Sequence, residues 1–326
     1  MIEKKKKVKV KPTTIKEQLM LFVNCTIENP SFDSQTKENL TTNASNFGST
    51  CSVSDSFVEK LVKMGIMEQA ISINELKETK EIKKADGKKQ RTIRGIPKLI
   101  DANYAGTEKG SRCTLILCEG DSAKAGIVSG LSKEDRNLIG VYPLKGKLMN
   151  VRCETQARIA KNDEIADMKR ILGLEVGKQY TEDELSKKLR YGKVMFMTDQ
   201  DLDGVHIKGL GINIFDSQWQ SLSKIEGFLS FMNTPILKAK KGTQEVLFYN
   251  ENEYEEWKKT STGNWHTKYY KGLGTSTSKE FKEYFKDLKI VSFYEKDGEC
   301  KDRIDMVFHK DRADDRKIWL ENYDKN

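Results

Sequence analysis

The 326-residue sequence has few of the residues from which zinc sites and disulfide frameworks are built. It has six cysteines, no two of them in a CxxC spacing, and only three histidines. Structural zinc sites need paired Cys and His ligands at short spacings, so the pattern excludes them. We therefore predict that the six cysteines are reduced thiols in ordinary packing.

The sequence also lacks long apolar runs. None approaches the roughly 20 residues of a membrane-spanning helix, and the lysine-rich N-terminus has no apolar signal-peptide core. Charged residues make up 33% of the chain, and the mean hydropathy is −0.65. These features predict an intracellular protein with an extensive polar surface and no membrane partner.

Basic residues exceed acidic ones, which gives a formal net charge of +8 and a pI of about 8.9. This balance favours a polyanionic partner such as nucleic acid, although it does not establish one. Residues 4–11 hold six lysines. The run is typical of a nuclear localisation signal or a DNA-binding arm, and equally of a solvated terminus.

Two elements are predicted before residue 75. The segment LMLFVNCTI, residues 19–27, is short and apolar, which predicts a buried strand followed by a loop over residues 30–37. Residues 54–71 place apolar side chains at helical spacing after the capping candidates Ser54 and Asp55, which predicts a core-facing helix. Residues 74–95 alternate charges without apolar periodicity, as a helix end running into a linker does.

Beyond the linker, strands and helices alternate. Strands are predicted over residues 114–118, near 139–141 and over 193–199, with helices starting at Asp121 or Ser122, over residues 164–174 and at Thr181. Thr181 and Glu184 form a capping box for the last of these helices. This alternation predicts an α/β domain with a largely parallel sheet.

Acidic residues follow two of the predicted strands. Glu119 ends the first, and Asp199, Asp201 and Asp203 follow the strand at residues 193–199. Because ligands of open parallel sheets bind beyond the carboxyl ends of the strands, we expect these four carboxylates to converge. Carboxylates held together repel one another unless a cation lies among them, so a divalent metal is predicted.

The ligand chemistry narrows the choice of metal. Oxygen ligands without a cysteine or histidine set indicate Mg²⁺, with Mn²⁺ or Ca²⁺ as substitutes. The D-x-D-x-D-G spacing also fits the start of a calcium-binding EF-hand loop, but position twelve of that loop is Leu210 instead of a glutamate. A few acids without a full cage suit Mg²⁺, which keeps several waters. The structural alternative is that the acids cap turns or form a negatively charged surface patch.

Two lysine- and glycine-containing segments resemble phosphate-binding loops without matching one. GVYPLKGKL is one residue too long for a Walker A loop and has leucine where that loop needs Ser or Thr, and KYYKGLGTSTSKE lacks the third glycine of a dinucleotide fingerprint. Their lysines stand beside small residues that let a phosphate chain approach, or simply lie on exposed turns: Lys145, Lys147, Lys268 and Lys271. His206, just past the acidic loop, is a secondary candidate.

Four longer motifs occur in one order: LILCEGDSAKAGIVSGL, GVYPLKGKLMNV, LRYGKVMFMTDQDLDGVHIKGL and KYYKGLGTSTSKEFKEYF. Together they resemble the TOPRIM region of a type IIA DNA topoisomerase of the eukaryotic or large-virus kind. IPKLIDANYAG and DDRKIWL resemble the same family, and LFVNCTIENPSFDSQTKENLT resembles the end of its transducer domain. The resemblance implies a Rossmann-like TOPRIM fold, preceded by the α+β C-terminal part of a transducer.

Four regions follow from the resemblance: transducer end over residues 1–75, charged linker over 76–110, TOPRIM core over 111–245, and TOPRIM tail and connector over 246–326. The implied metal ligands are Glu119, Asp199 and Asp201, with Asp203 in support, and Lys147 is added as a catalytic residue. Gln35, Thr36 and Lys37 would touch the terminal phosphate of ATP in the complete enzyme. The implied DNA contacts are Lys145, Lys147, Asn150, His206, Lys271 and Lys310.

The implied activity is transient double-strand cleavage of DNA by a tyrosine, strand passage and religation, in a nuclear homodimer, or a cytoplasmic one if viral or prokaryotic. The family's ATPase domain and tyrosine-bearing winged-helix domain are absent from this sequence, so we expect an incomplete portion, inactive alone. Lys145 replaces the usual arginine and Val205 the usual serine. Two alternatives are a stand-alone TOPRIM nuclease or primase and a non-catalytic DNA-binding coupling module.

Overall fold

The computed structural model describes residues 10–84, 86–296 and 298–323. It divides into two compact units, with the division between Lys80 and Glu81. Apart from Lys11, the lysine run of residues 4–11 lies outside the described residues. No helix of the described part of the chain is both long and apolar enough to cross a membrane.

The regular secondary structure of the first unit is mainly helical where it is described, and the rest of residues 10–54 is largely irregular. Its helices are α1 (Pro12–Lys16), α2 (Asp55–Lys63) and the start of α3 (Ile66–Lys84). Val10, Ala70 and Ile71 form a small buried cluster. The β structure described between residues 10 and 80 is one antiparallel bridge, Phe32 to Leu40, which closes the loop that holds residues 35–37.

The buried strand expected over residues 19–27 does not form, so this prediction was wrong. The segment has no regular secondary structure, and Met20, Leu21, Phe22 and Val23 are 74% to 90% exposed. Apolar composition alone does not make a strand, because a strand also needs a neighbour to satisfy its backbone groups. The described residues of this unit place no strand beside the segment.

The single core-facing helix expected over residues 54–71 was partly wrong. Ser54 caps α2 as predicted, its side chain accepting a hydrogen bond from the Phe57 N–H at 3.3 Å. However, the helix is interrupted at Met64 and Gly65, and Gly65 adopts a left-handed φ of 83°. Glycine tolerates this conformation and ends a helix there. α2 buries no residue, whereas α3 buries Ala70 and Ile71.

The second unit is built on a five-stranded sheet with the order β2-β1-β3-β4-β8. The strands are β1 (Thr114–Glu119), β2 (Ile139–Leu144), β3 (Lys193–Met197), β4 (Leu229–Met232) and β8 (Ile290–Phe293). The pairs β1–β2, β1–β3 and β3–β4 are parallel, and β8 adds an antiparallel edge. The predicted α/β fold with a mostly parallel sheet is therefore confirmed.

Helices cover both faces of this sheet. They are α4 (Gly120–Gly130), α5 (Asp135–Leu138), α6 (Gln156–Ala160), α7 (Asp163–Leu172), α8 (Glu182–Lys188), α9 (Leu202–Gln218) and α10 (Gln220–Ser223). Side chains of β1 alternate between the faces: Leu115 and Leu117 join a core with α7 and α9, and Ile116 and Cys118 join a core with α4. The capping box of Thr181 and Glu184 at α8 is confirmed.

Arg190 holds the N-terminal segment of the second unit. This side chain is fully buried and donates hydrogen bonds to the backbone oxygens of Gln90 and Ile171 at 2.6 and 2.8 Å. It also pairs with Asp101, which accepts a hydrogen bond from the Tyr191 hydroxyl. Residues 86–101 thus lie against the sheet domain and form no helix.

The rest of the second unit follows β4. A three-stranded antiparallel sheet has the order β6-β5-β7, formed by β5 (Leu237–Lys241), β6 (Gln244–Phe248) and β7 (His266–Tyr269). Helices α11 (Glu251–Thr260), α12 (Ser278–Lys286), α13 (Gly298–Phe308) and α14 (Ala313–Glu321) complete the chain. α12 packs Phe281 and Tyr284 into the core that contains Ile116 and Cys118.

Candidate metal and nucleic-acid site

The two acidic segments meet at one edge of the sheet. β1 and β3 are parallel neighbours, with Cys118 opposite Met197, so Glu119 and Asp199 emerge at the same end. Leu115 to Cys118 of β1 and Val194 to Met197 of β3 are all buried, so a one-residue shift would exchange the side chains packed on the two faces of the sheet. The sheet thereby places carboxylates from two distant segments side by side.

Glu119 is the most constrained of the acids. Its Oε2 is buried and has no hydrogen-bond partner among the described residues. Burial raises the pKa of its carboxyl group, and the charges of Asp199, Asp201 and Asp203 raise it further, against a smaller opposing effect of the Asp199 backbone. A buried carboxylate oxygen without a hydrogen-bond partner, facing other carboxylates, is costly, and a bound cation would remove that cost.

The acidic loop is built by the start of α9. Asp201 is the N-cap residue, and its Oδ1 accepts the Gly204 N–H at 2.8 Å. Thr198 donates to the Gly204 carbonyl at 3.1 Å, and a Cβ on Gly204 would clash with the Asp199 carbonyl. Asp201 therefore caps a helix, as the structural alternative supposed, while it remains exposed beside Glu119.

Asp199 is held by the segment Gly272–Leu273, a contact that sequence reasoning missed. The Leu273 N–H donates to Asp199 Oδ1 at 2.6 Å, and a Cβ at position 272 would clash with the Asp199 carboxylate. These residues are separated by more than 70 positions along the chain. Gly272, the first glycine of KGLGT, was a visible signal, but its contact with Asp199 could not be read from the sequence.

Lysine charges lie beside the acids. Lys147 pairs with Asp203 at 2.9 Å, and both side chains are about half exposed or more. Lys208 lies close enough to Asp201 for that charge to raise its pKa, yet burial lowers the pKa overall, and its Nζ is 3.4 Å from Gln200 Oε1. Lys208 was not predicted, although its position one turn after the acidic loop was a possible signal.

The residues predicted to touch DNA are spread over this edge. Lys147, Asn150 and His206 line a cleft of about 600 Å³ together with Phe308 of α13. The Asn150 amide is occupied: Nδ2 donates to the Phe308 carbonyl at 2.9 Å, and Oδ1 accepts the Asn213 amide at 2.9 Å. Asn150 therefore links the PLKGK segment to α9 and α13.

The remaining predicted residues lie apart from that cleft. Lys145 and Lys271 are exposed on the loops that follow β2 and β7, and Lys310 begins the 3-10 turn after α13. Gln35, Thr36 and Lys37 are all exposed in the loop closed by the Phe32 to Leu40 bridge. There the hydroxyls of Ser34 and Thr36 are 2.9 Å apart.

The carboxylates do not form a complete protein cage. Across residues 10–323, the described parts contain no group of three or more Asp, Glu, His or Cys side chains arranged to hold a metal ion. The unpaired Glu119 oxygen beside three aspartates fits an ion with few protein ligands and several waters, as Mg²⁺ prefers.

Family models cover most of the chain. The Toprim domain matches residues 114–232, the C-terminal associated domain of TOPRIM matches residues 232–326, and DNA gyrase B matches residues 1–91. The first match coincides with the parallel sheet and its acidic edge. Fold, site and family model together define a protein with a Toprim domain, a domain class that implies divalent-metal binding.

Eukaryotic DNA topoisomerases are among the proteins similar to this chain. DNA topoisomerase 2 of Drosophila melanogaster is 49% identical over 99% of this chain and 23% of its own length. DNA topoisomerase 2-alpha of Mus musculus is 47% identical over 99% of this chain and 22% of its own. A crystal structure of the Plasmodium falciparum topoisomerase II DNA-binding, cleavage and re-ligation domain matches with a TM-score of 0.68 and 50% identity, over 72% of this chain and 32% of that one.

These matches confirm the resemblance to the type IIA DNA topoisomerases. The chain carries a DNA topoisomerase 2-like segment that joins a gyrase B-like region to a Toprim domain. It spans 20% to 23% of the length of the curated relatives that it matches. It is thus similar to a portion of those enzymes.

Proposed function

We propose that this chain is the Mg²⁺-binding, DNA-contacting portion of an ATP-dependent type IIA DNA topoisomerase. The observation that carries the proposal is the buried, unpaired carboxylate oxygen of Glu119 at the edge where Asp199 emerges. The proposed metal ligands are Glu119, Asp199 and Asp201, with Asp203 in support. The similarity to enzymes named DNA topoisomerase 2 supports the reaction class.

The proposed chemistry is phosphoryl transfer. A tyrosine oxygen from another segment forms a bond to a DNA phosphorus as the bond to the 3′ oxygen breaks, and religation reverses the exchange. Bound Mg²⁺ would supply positive charge against the negative charge that develops on the phosphate and leaving oxygen. Lys147 contributes a second positive charge beside the phosphate. We assign none of the 11 tyrosines of this chain as the nucleophile.

Further parts of the proposal concern the complete enzyme. Gln35, Thr36 and Lys37 would contact the terminal phosphate of ATP, and their exposure in a closed loop supports this role. Double-stranded DNA, the ATPase domain and the winged-helix domain are the proposed partners, and a homodimer in the nucleus is the proposed working form. Mn²⁺ and Ca²⁺ are proposed substitutes for Mg²⁺.

Calorimetric titration of the purified chain with MgCl₂ tests the metal site. We expect weak Mg²⁺ binding that falls about tenfold or more in Glu119→Gln, because the variant loses a charged ligand. Glu182→Gln is the matched control, since Glu182 is exposed at the start of α8, and it should bind Mg²⁺ like the wild type. Equal Mg²⁺ affinity in Glu119→Gln and wild type would contradict the proposed ligand set.

A plasmid-nicking assay separates the topoisomerase proposal from the nuclease alternative. The chain alone should leave supercoiled DNA uncut in Mg²⁺, because the proposed nucleophile belongs to another segment. Nicking by the chain that disappears in Glu119→Gln would instead indicate a stand-alone nuclease with water as the nucleophile. The nicked fraction on an agarose gel is the measurement.

A further inference from the structure

The carboxylate of Glu164 accepts a hydrogen bond from the backbone of the loop that follows β2. Lys145 is the first residue beyond the sheet, since Leu144 is still paired with Glu119. The Lys145 backbone N–H donates a hydrogen bond of 2.5 Å to Oε1 of Glu164. Glu164 is half-buried, whereas the Lys145 and Lys147 side chains are exposed. The contact therefore fixes the backbone of the loop without engaging the side chains of its lysines.

Glu164 is itself well anchored. It lies in the first turn of α7, where the Asn162 side chain caps the helix by accepting the Ile165 N–H at 3.0 Å. Ile165, Met168, Ile171 and Leu172 of the same helix are buried in the core. A carboxylate in the first turn of a helix is also favoured by the helix dipole. Glu164 thus projects from a rigid element toward a loop that has little other support.

The loop needs that support because of its composition. Gly146, between the two lysines, has a φ of 149°, and no heavy atom lies within 4 Å of where a Cβ would stand, so nothing packs against that side of the residue. The next buried residue is Leu148. Between Leu144 and Leu148, the fixed contacts are the Glu164 hydrogen bond and the exposed Lys147–Asp203 pair. Exposed pairs of this kind contribute little.

We propose that Glu164 is a positioning residue for DNA binding: it holds the Lys145–Lys147 backbone so that both lysines face the phosphates. The inference deepens the proposed function and rests on it. The proposal predicts opposite changes in DNA affinity for loss of the Glu164 charge and for loss of its hydrogen bond. A carboxylate beside phosphate-binding lysines repels DNA, so loss of its charge alone should tighten binding, whereas loss of its hydrogen bond should weaken binding.

Two variants separate the effect of the Glu164 charge from the effect of its side-chain length. Glu164→Gln removes the charge but keeps an acceptor oxygen at the same distance, and Glu164→Asp keeps the charge but withdraws the acceptor by one methylene. Fluorescence anisotropy of the whole chain with a duplex of about 30 base pairs, across a salt series, gives the affinity and the number of phosphates neutralised. Glu182→Gln, on the exposed first turn of α8, is the control for charge removal elsewhere.

We expect Glu164→Asp to bind the duplex about fivefold more weakly, with a salt slope reduced by about one, because one lysine to phosphate contact is lost. Glu164→Gln should bind as tightly as wild type or up to about twofold more tightly. Amide exchange of Lys145 provides a readout independent of DNA, and it should be faster in Glu164→Asp than in Glu164→Gln.

Equal affinity and equal Lys145 exchange in the Asp and Gln variants would overturn the positioning role. Tighter binding by Gln and unchanged binding by Asp would reduce Glu164 to a surface charge and would also overturn it. Absence of salt-dependent duplex binding by the wild type would contradict the proposed function instead. Circular dichroism and thermal unfolding of both variants show whether α7 and the core remain folded.

Discussion

Asp199 shows how one side chain can be fixed by a residue without a side chain. Its Oδ1 accepts the Leu273 N–H, and its carboxylate lies where a Cβ on Gly272 would stand. Gly272 has an extended backbone with a φ of 172°, which any residue adopts. The requirement for glycine is therefore one of space, and the space is occupied by a proposed metal ligand.

Gly272→Ala should displace the Asp199 carboxylate and weaken Mg²⁺ binding by about tenfold, in the range seen when the groups that orient a ligand are changed. Gly274→Ala is the matched control, because no heavy atom lies within 4 Å of a Cβ there. Calorimetric titration with MgCl₂ measures both. Unchanged affinity in the Gly272 variant would show that Asp199 does not contribute to the metal site.

Glu280 is a buried carboxylate with a structural role. Burial alone would raise its pKa, but hydrogen bonds from Thr277, Tyr270 and Lys268 outweigh burial and lower the pKa from 4.5 to about 2. The charged form is therefore favoured by folding. Its contribution is present above the unfolded pKa of about 4.5 and is lost as the pH falls towards 2.

The free energy of unfolding tests this pH dependence. Glu280→Gln should lower it by up to about 3 kcal/mol at neutral pH, and the difference from wild type should shrink as the pH falls below about 4.5. Urea denaturation between about pH 6 and pH 3.5 measures the difference. Glu283→Gln, exposed on the same helix, should show little effect. A pH-independent difference would contradict the assignment.

Among the elements, α9 holds the acidic loop at its first turn and packs tightly on β3. It begins at the acidic loop, where Asp201 caps it, and its Gly211 faces Phe196 of β3 so closely that a Cβ would clash with the ring. Phe196 is completely buried and cannot move aside easily. The close approach of helix and strand is thus a consequence of one small residue.

Gly211→Ala should destabilise the second unit by about 1–3 kcal/mol, because overpacking outweighs the helix propensity gained from alanine. Ser217→Ala, at an exposed position of the same helix, serves as the control and should change stability by no more than about 0.5 kcal/mol. Chemical denaturation followed by circular dichroism compares them. A stabilised Gly211 variant would show that the helix can move away from the strand.

The same elements show what the sequence could predict. β1 and β3 are buried on both faces, so their apolar runs were readable, as were the acids that follow them. The run at residues 19–27 has similar composition, yet it is exposed and irregular. Strand formation depends on a partner, which composition does not reveal. The contacts Leu273 to Asp199 and Lys145 to Glu164 join distant segments and also required the fold.

At the scale of the whole molecule, the chain contains two units with different proposed functions. The first holds the loop of Gln35, Thr36 and Lys37, proposed for ATP, and the second holds the acidic edge proposed for Mg²⁺ and DNA. The sequence is similar to 20% to 23% of the length of its relatives. The central claim, that its acids take part in DNA cleavage, is therefore tested best within a complete enzyme.

That test is plasmid relaxation by a chimera in which this chain replaces the matching segment of Drosophila melanogaster DNA topoisomerase 2, which is 49% identical to it. The unmutated chimera and an Asp183→Ala control on the exposed start of α8 should relax DNA with ATP and Mg²⁺. Asp199→Ala with Asp201→Ala should reduce relaxation by about 100-fold or more, because proposed metal ligands are lost. Relaxation at the control rate by the double variant would contradict the account and favour a non-catalytic coupling module.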